Sequence, residues 1–297
     1  MTGQQTTLTH GDQRATIAAL GAALREYTVA GRDVVLPFDA DELPAAYHGM
    51  VLAPWPNRLR DGQYTFEDVD LQVPVSEPAR GTALHGLVCW VEWRVASVSE
   101  TAVTLTLDLA SSPGYPFRLA LATTYELGED GLTITTVARN DGAEALPYGV
   151  GFHPWFAPGG TALDACTLQL DAASRVTVDE RLLPTGEVPV DGDFDLREPR
   201  SLEGIAFDDA WVDPIADDEG RSWCRLGWAD GSTVEIWADT QATAWQICTG
   251  DEVPGVRRAG VAIEPMSCIA DAFRTGERLV TLKPGESHAL TWGMRLA

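Results

Sequence analysis

Between Thr101 and Asn140 the chain alternates apolar and polar residues with a period of two, a pattern that only extended backbone can use. In TAVTLTLDL, Thr101 to Leu109, Val103, Leu105, Leu107 and Leu109 fall on one side, and Thr104, Thr106 and Asp108 on the other. Leu119, Leu121 and Tyr125 share a face in the next run. The turn sequence GEDG, Gly128 to Gly131, then leads into LTITTVARN, so the two runs read as an antiparallel hairpin. STVEIWAD, Ser232 to Asp239, is another alternating strand, placed behind an Asp-Gly turn. Turn residues recur roughly every 8–12 residues, the spacing of a sandwich or barrel.

One segment points the other way. ATIAALGAALREY, Ala15 to Tyr27, has helical propensity. Gly21 at its centre and the Ala-Gly-Arg-Asp turn after Val29 count against a helix, and the segment reads as two strands with a bulge. No internal repeat, low-complexity tract or linker interrupts the chain, and 297 residues suit one large β domain. The expectation is a single all-β domain over residues 1–297.

The composition narrows the partners. The net charge is −23, from 21 basic and 44 acidic residues. Such a surface repels phosphate backbones, which argues against nucleic acid and anionic membranes. No apolar run is long enough to span a bilayer. The N-terminal MTGQQTTLTHGDQRAT lacks the basic-then-apolar layout of a secretory leader, so the cytoplasm is the expected compartment. Lys283 is the sole lysine and lies in the turn-like LKPGE, unsuited to Schiff-base chemistry. The five cysteines have no zinc-knuckle spacing and read as free thiols. Nothing in the sequence bears on oligomeric state.

Two titratable residues share a local design. His153 in GFHPWF and Glu264 in VAIEPMS each precede a proline, which holds them in extended backbone, and each adjoins apolar residues. An apolar setting raises a carboxylate pKa and lowers a histidine pKa, drawing both toward neutrality, as general acid–base work requires. Taken singly, His153 reads more readily as a core histidine with one hydrogen bond than as the acid of a sugar pocket. His85 in ALHGLV is followed by a glycine that permits close approach of a ligand or strand. Asn57 and Arg58 follow the stiff Ala-Pro-Trp-Pro, Asp208 stands in AFDDAW, and Gln246 in AWQICTG. These donors and acceptors suit a neutral polyol better than a phosphate.

In order along the chain, PWPNRLRDGQYTF, LHG, GFHPWF, DDAW, WQICTG and AIEPMSCIADAF resemble the aldose 1-epimerase (galactose mutarotase) family. The resemblance spans residues from about 50 to 275, with GAALREYTVAGRDVVL similar to the family's opening hairpin. It implies a large antiparallel β-sandwich with few short helices, whose concave face binds a free sugar. It implies that Glu264 is a general base on the anomeric hydroxyl and His153 a general acid on the ring oxygen. His85 would lie near the ring oxygen, and Asn57, Arg58, Asp208 and Gln246 would hold sugar hydroxyls. No metal or cofactor is implied, and the only partner is a small sugar such as galactose or glucose. Asp208, three residues before an aromatic, is the expected sugar contact, with Asp209 in solvent. Cys248, Trp155 and Trp211 depart from the family's usual residues and are expected to border the pocket. A hexose-phosphate epimerase of the same family needs an arginine cluster, and none adjoins these motifs. A non-catalytic sugar-binding domain of the same fold would be expected to lose His153 or Glu264 first, and both are present.

Overall fold

The alternating segments form two facing sheets in the computed structural model, which describes residues 1–297. The first has nine strands. In spatial order they are Arg94–Val98, Ala102–Leu109, Leu119–Gly128, Gly131–Asn140, Ser287–Leu296, Thr233–Asp239, Arg221–Gly227, Thr167–Leu170 and Arg200–Ser201. The second runs Pro184–Pro189, Ala172–Val178, Asp208–Pro214, Ala244–Cys248, Val261–Met266, Gly151–Phe152 and Val51–Leu52, with Trp155–Phe156 also paired to Val261–Met266. Neighbouring strands are antiparallel in both sheets. The sole α-helix is Ala272–Thr275, so the fold is the expected all-β sandwich.

The hairpin turns where its sequence predicts, with Gly128 opposite Gly131. Val103, Leu105, Leu119, Leu121 and Tyr125 are buried, while Leu107 and Leu109 are half-buried. Ala15 to Tyr27 is not helical. It contributes Gln13–Ala18 and Ala23–Val29, whose pairing shifts register between Thr16 and Ile17. Gly21 and Ala22 turn the chain between them at φ +66° and +46°.

The two sheets meet face to face. Phe152 packs on Trp292, and Trp245 Nε1 donates to Ser222 Oγ at 3.1 Å. Within the second sheet, side-chain parity separates two faces. Trp211, Trp245, Ile247 and Ile263 face the first sheet and belong to a core of 58 buried residues. Asp208, Gln246, Cys248, Ala262 and Glu264 face the other way.

That second face is interrupted at His153. Ile263 N–H donates to Pro154 O at 3.4 Å, and Ser267 N–H donates to Val150 O at 2.8 Å. Pro265 lies midway and faces the same edge, but has no N–H to leave unpaired. The ladder therefore opens where the donor is missing, and His153 occupies the opening between Gly151–Phe152 and Trp155–Phe156. Its backbone pairs instead with Met50 O (3.1 Å) and Gly49 N–H (2.8 Å).

His85 reaches the same region from a turn. Its φ is +62°, and Gly86 follows at +74°. Gly86 makes a parallel bridge to Ala53, and a Cβ there would lie 2.1 Å from Ala53 O. The glycine thus admits another backbone segment. Gly86→Ala combines a clash with an unfavourable φ and should lower stability by about 1–3 kcal/mol. Thermal denaturation checks this, and an unchanged Tm would show that the turn relaxes freely.

Candidate active site

Paired strands bring the polar side chains together. Gln246 of Ala244–Cys248 lies directly across from Glu264 of Val261–Met266, so the two share a face. Asp208 lies opposite Cys248 on the adjoining strand. Asn57 Nδ2 donates to Gln246 Oε1 (3.2 Å), and Gln246 Nε2 donates to Asp208 Oδ1 (2.8 Å). This chain orients the amide without ambiguity, because each end of Gln246 has a partner of fixed sense. His153 Nε2 lies 3.5 Å from Glu264 Oε1.

All seven residues singled out from the sequence line one cleft of about 250 Å³: Asn57, Arg58, His85, His153, Asp208, Gln246 and Glu264. Glu264 is 2% exposed and His153 7%. Glu264 Oε2 and His153 Nδ1 have no hydrogen-bond partner in the protein, which is costly for buried polar atoms and common at sites that bind something.

Burial governs the electrostatics. It raises the Glu264 carboxyl well above its ordinary range; Asp208 repels in the same direction, and Arg58 opposes. Burial likewise lowers His153, aided by His48 and Arg58. His85 is lowered by burial, then by His153 and Arg58. Both members of the His153–Glu264 pair are thus pushed toward their neutral forms.

Aromatic rings confine the histidines. His153 sits between Tyr47 and Trp155, nearly parallel to both, at centroid distances of 6.3 and 5.8 Å. Tyr47 also meets His85 edge-on at 4.6 Å. Tyr47 projects from a turn in which Ala46 and Tyr47 both have positive φ, +52° and +53°.

Several expectations require correction. Asp209 is not in solvent. It shares the inner parity of Trp211, is half-buried, and burial raises its carboxyl above the usual value. Its Oδ2 accepts from Asp208 N–H at 3.2 Å. Trp211 does not border the cleft; it is fully buried and donates to Phe194 O at 2.9 Å. Trp155 and Cys248 do line the cleft. An arginine pair, unrecognised in sequence, also lies there. Arg58 and Arg80 both approach Glu77, at 2.9 and 3.4 Å. Two guanidinium groups thereby share one carboxylate. Tyr47, Glu77 and Arg80 carry no motif in the sequence, although Glu77 precedes a proline as His153 and Glu264 do. No group of three or more His, Cys, Asp and Glu side chains is arranged to hold a metal ion.

The tautomer of His85 follows from one contact. Asn57 N–H donates to His85 Nδ1 at 3.1 Å, so Nδ1 is unprotonated and Nε2 carries the proton. With its pKa lowered, the ring should stay neutral in this tautomer from about pH 6 to about pH 8. Nitrogen-15 NMR reads this directly, and an imidazolium signal within that interval would contradict it.

The family model for aldose 1-epimerase matches residues 4–295. YihR of Escherichia coli K12, an uncharacterized protein, is 34% identical, over 97% of this chain and 92% of YihR. The galactose mutarotase of Homo sapiens is 29% identical over 57% of this chain and 52% of the human protein. Among solved structures, a galactose 1-epimerase from Lactobacillus acidophilus superposes with a TM-score of 0.83 at 20% identity, covering 99% of this chain and 94% of that one. A GalM/aldose epimerase homologue from C. elegans gives 0.88 at 20% identity, covering 99% and 98%. At such identities the structures speak to the fold, whereas the family model spans nearly every residue: the chain belongs to the aldose 1-epimerase family.

Proposed function

We propose that this protein is a mutarotase that interconverts the α and β anomers of a free, neutral aldohexose such as galactose or glucose. The observation that carries the reading is the buried Glu264–His153 contact of 3.5 Å, with the remaining polar atom of each group unpaired. Around it stand side chains suited to hydroxyls.

Opening a hemiacetal requires a proton removed at O1 and another delivered to the ring oxygen. Glu264, as carboxylate, takes the first; His153, as imidazolium, gives the second. The open chain rotates about C1–C2. His153, now neutral, then takes back the proton from the hydroxyl at C5. Glu264, now protonated, returns its proton to O1 as the carbonyl is attacked on its other face. After opening, the pair is a carboxylic acid and a neutral imidazole, the state that burial favours. Desolvation therefore drives the first half-reaction, and the attraction between carboxylate and imidazolium supports the reverse. His85 offers its Nε2–H near the ring oxygen, while Asn57, Arg58, Asp208 and Gln246 hold hydroxyls. The absence of a lysine beside the pair is consistent with acid–base rather than imine chemistry.

Polarimetry on freshly dissolved anomers tests this reading. Glu264→Gln and His153→Asn should each reduce turnover by at least ~10²-fold. The double variant should be little worse than the poorer single, because the two act as one unit. Full activity in a folded Glu264→Gln protein, above the spontaneous rate in buffer, would sink the mechanism. A second comparison separates neighbours: Asp208→Ala should raise KM far more than Asp209→Ala, since only Asp208 faces the cleft. Equal effects would place the sugar elsewhere.

A further inference from the structure

Arg58 is the one cleft residue whose charge bears on every titratable group at its centre. It opposes the raised pKa of Glu264 and adds to the lowering of His153 and His85. What holds Arg58 in place therefore matters to the chemistry. Its Nε donates to Glu77 Oε2 at 2.9 Å, and its Nη2 donates to Glu77 Oε1 at 3.1 Å. This forked pairing fixes both the position and the plane of the guanidinium. The two side chains are 11% and 20% exposed, so solvent screens them only in part.

Glu77 is itself rigidly held. Its N–H donates to Thr82 O at 2.9 Å and its carbonyl accepts from Thr82 N–H at 3.2 Å, closing the turn that Pro78 begins. Thr82 Oγ1 donates to Glu77 Oε2 at 2.6 Å. Arg58–Arg60 pairs with Thr82–Leu84, placing Arg58 across from Leu84 and Arg60 across from Thr82. The turn and the strand pair together set donor against acceptor before any ligand arrives.

We propose that Glu77 is a positioning residue of this site: it fixes the Arg58 guanidinium in the cleft for sugar binding and offsets the positive charge that Arg58 directs at the Glu264–His153 pair. The proposal rests on the mutarotase reading above. A surface ion pair would give no such effect, but this one faces the cleft, and its carboxylate is shared with Arg80. The other groups acting on the pair are Asp208 and Cys248 beside Glu264, and His48 and His85 beside His153. None of these contacts Glu77 by hydrogen bond or ion pair.

The sign of the effect is definite. Removing the Glu77 charge leaves Arg58 uncompensated. Added positive charge stabilises carboxylate and destabilises imidazolium, so it lowers both proton affinities of the coupled pair. Both limbs of the bell-shaped rate profile should move to lower pH. Loss of the fork should also weaken sugar binding while leaving the acid and base in place.

The test is anomer interconversion of α-D-glucose and α-D-galactose, followed by polarimetry across pH, in wild type and Glu77→Gln. Glu77→Gln should raise KM roughly tenfold. Its kcat, taken at its own optimum, should fall less than about threefold, and both limbs should shift acidward by about half a pH unit or more. Glu77→Asp keeps the charge and should retain the wild-type limbs with an intermediate KM. In an Arg58→Ala background, Glu77→Gln should leave KM unchanged, since its hold on the sugar runs through the Arg58 guanidinium, while the field of the Glu77 carboxylate still acts on the limbs. Wild-type KM and limbs in Glu77→Gln would overturn the proposal. So would a large loss of kcat with unmoved limbs, which marks a structural residue, or an undiminished KM effect in the Arg58→Ala background. Should Glu77→Gln fail to fold, Glu77→Asp decides: limbs displaced from wild type would overturn the charge argument. A wild type that interconverts no aldose would bring down the mutarotase reading itself, whereas an active wild type with an indifferent Glu77 brings down only this inference.

Discussion

The 3.5 Å approach of His153 Nε2 to Glu264 Oε1, at the buried floor of the cleft, is the constraint around which the rest of the molecule is arranged. Two ionisable groups so buried would be destabilising in an ordinary core. Here they are held by backbone whose own hydrogen bonds are largely settled elsewhere. Glu264 lies within Val261–Met266, buried throughout and paired on both edges. His153 stands in the ladder's only gap along that strand's outer edge, opposite a proline that has no donor to orphan. Behind them the two sheets close over a 58-residue core. Glu264 is therefore mounted on a strand and His153 in a two-residue break between strands, which limits how far either group can drift.

Left-handed backbone recurs where the remaining polar groups enter. Asn57 and His85 are both in left-handed conformation, at φ +56° and +62°, and each hydrogen-bonds to the other's segment. Ala46 and Tyr47 repeat this on the other side of the histidines. Left-handed conformations cost least for Asn and Gly among L-sequence choices, and more for alanine or tyrosine. At the cleft these four positions exchange local backbone energy for a fixed side-chain direction, while ten other residues outside it share the conformation. The Asn57–Gln246–Asp208 chain completes the arrangement by fixing both amides against Asp208 Oδ1 before a ligand is present.

Much of this was readable from the residues because alternation reports local structure directly. The hairpin from Leu119 to Asn140 needed only its own sequence. Pre-proline positions marked His153 and Glu264, and the same signal extends to Glu77; Glu198 and Asp213 share it and lie outside the cleft. What period two cannot supply is which face points outward. Asp208 and Trp211 are three residues apart, so one strand must send them to opposite sides. Expecting both at the cleft was inconsistent with the parity of the strand that carries them. Asp209 follows from the same parity, since it travels with Trp211 toward the core. The arginine pair depended on a long-range pairing, Arg58–Arg60 with Thr82–Leu84, that no local pattern announces.

The mutarotase reading places one further demand on this chemistry. Anomer interconversion runs in both directions through the same open chain, so acid and base must exchange roles in every turnover. That requires the charged and neutral forms of the Glu264–His153 pair to be close in free energy. Burial alone would leave them far apart, because it penalises carboxylate and imidazolium together. Their mutual attraction at 3.5 Å counters that penalty. Asp208 and Arg58 then act differently on the balance. Asp208 favours proton retention on Glu264, and hence the neutral form. Arg58 lowers the proton affinity of both partners, and so shifts the pH at which the pair works more than it shifts the partition between its two forms. A residue that tempers Arg58, as Glu77 does through its fork, therefore tunes the working pH of the pair while leaving its reversibility to burial, Asp208 and the contact itself.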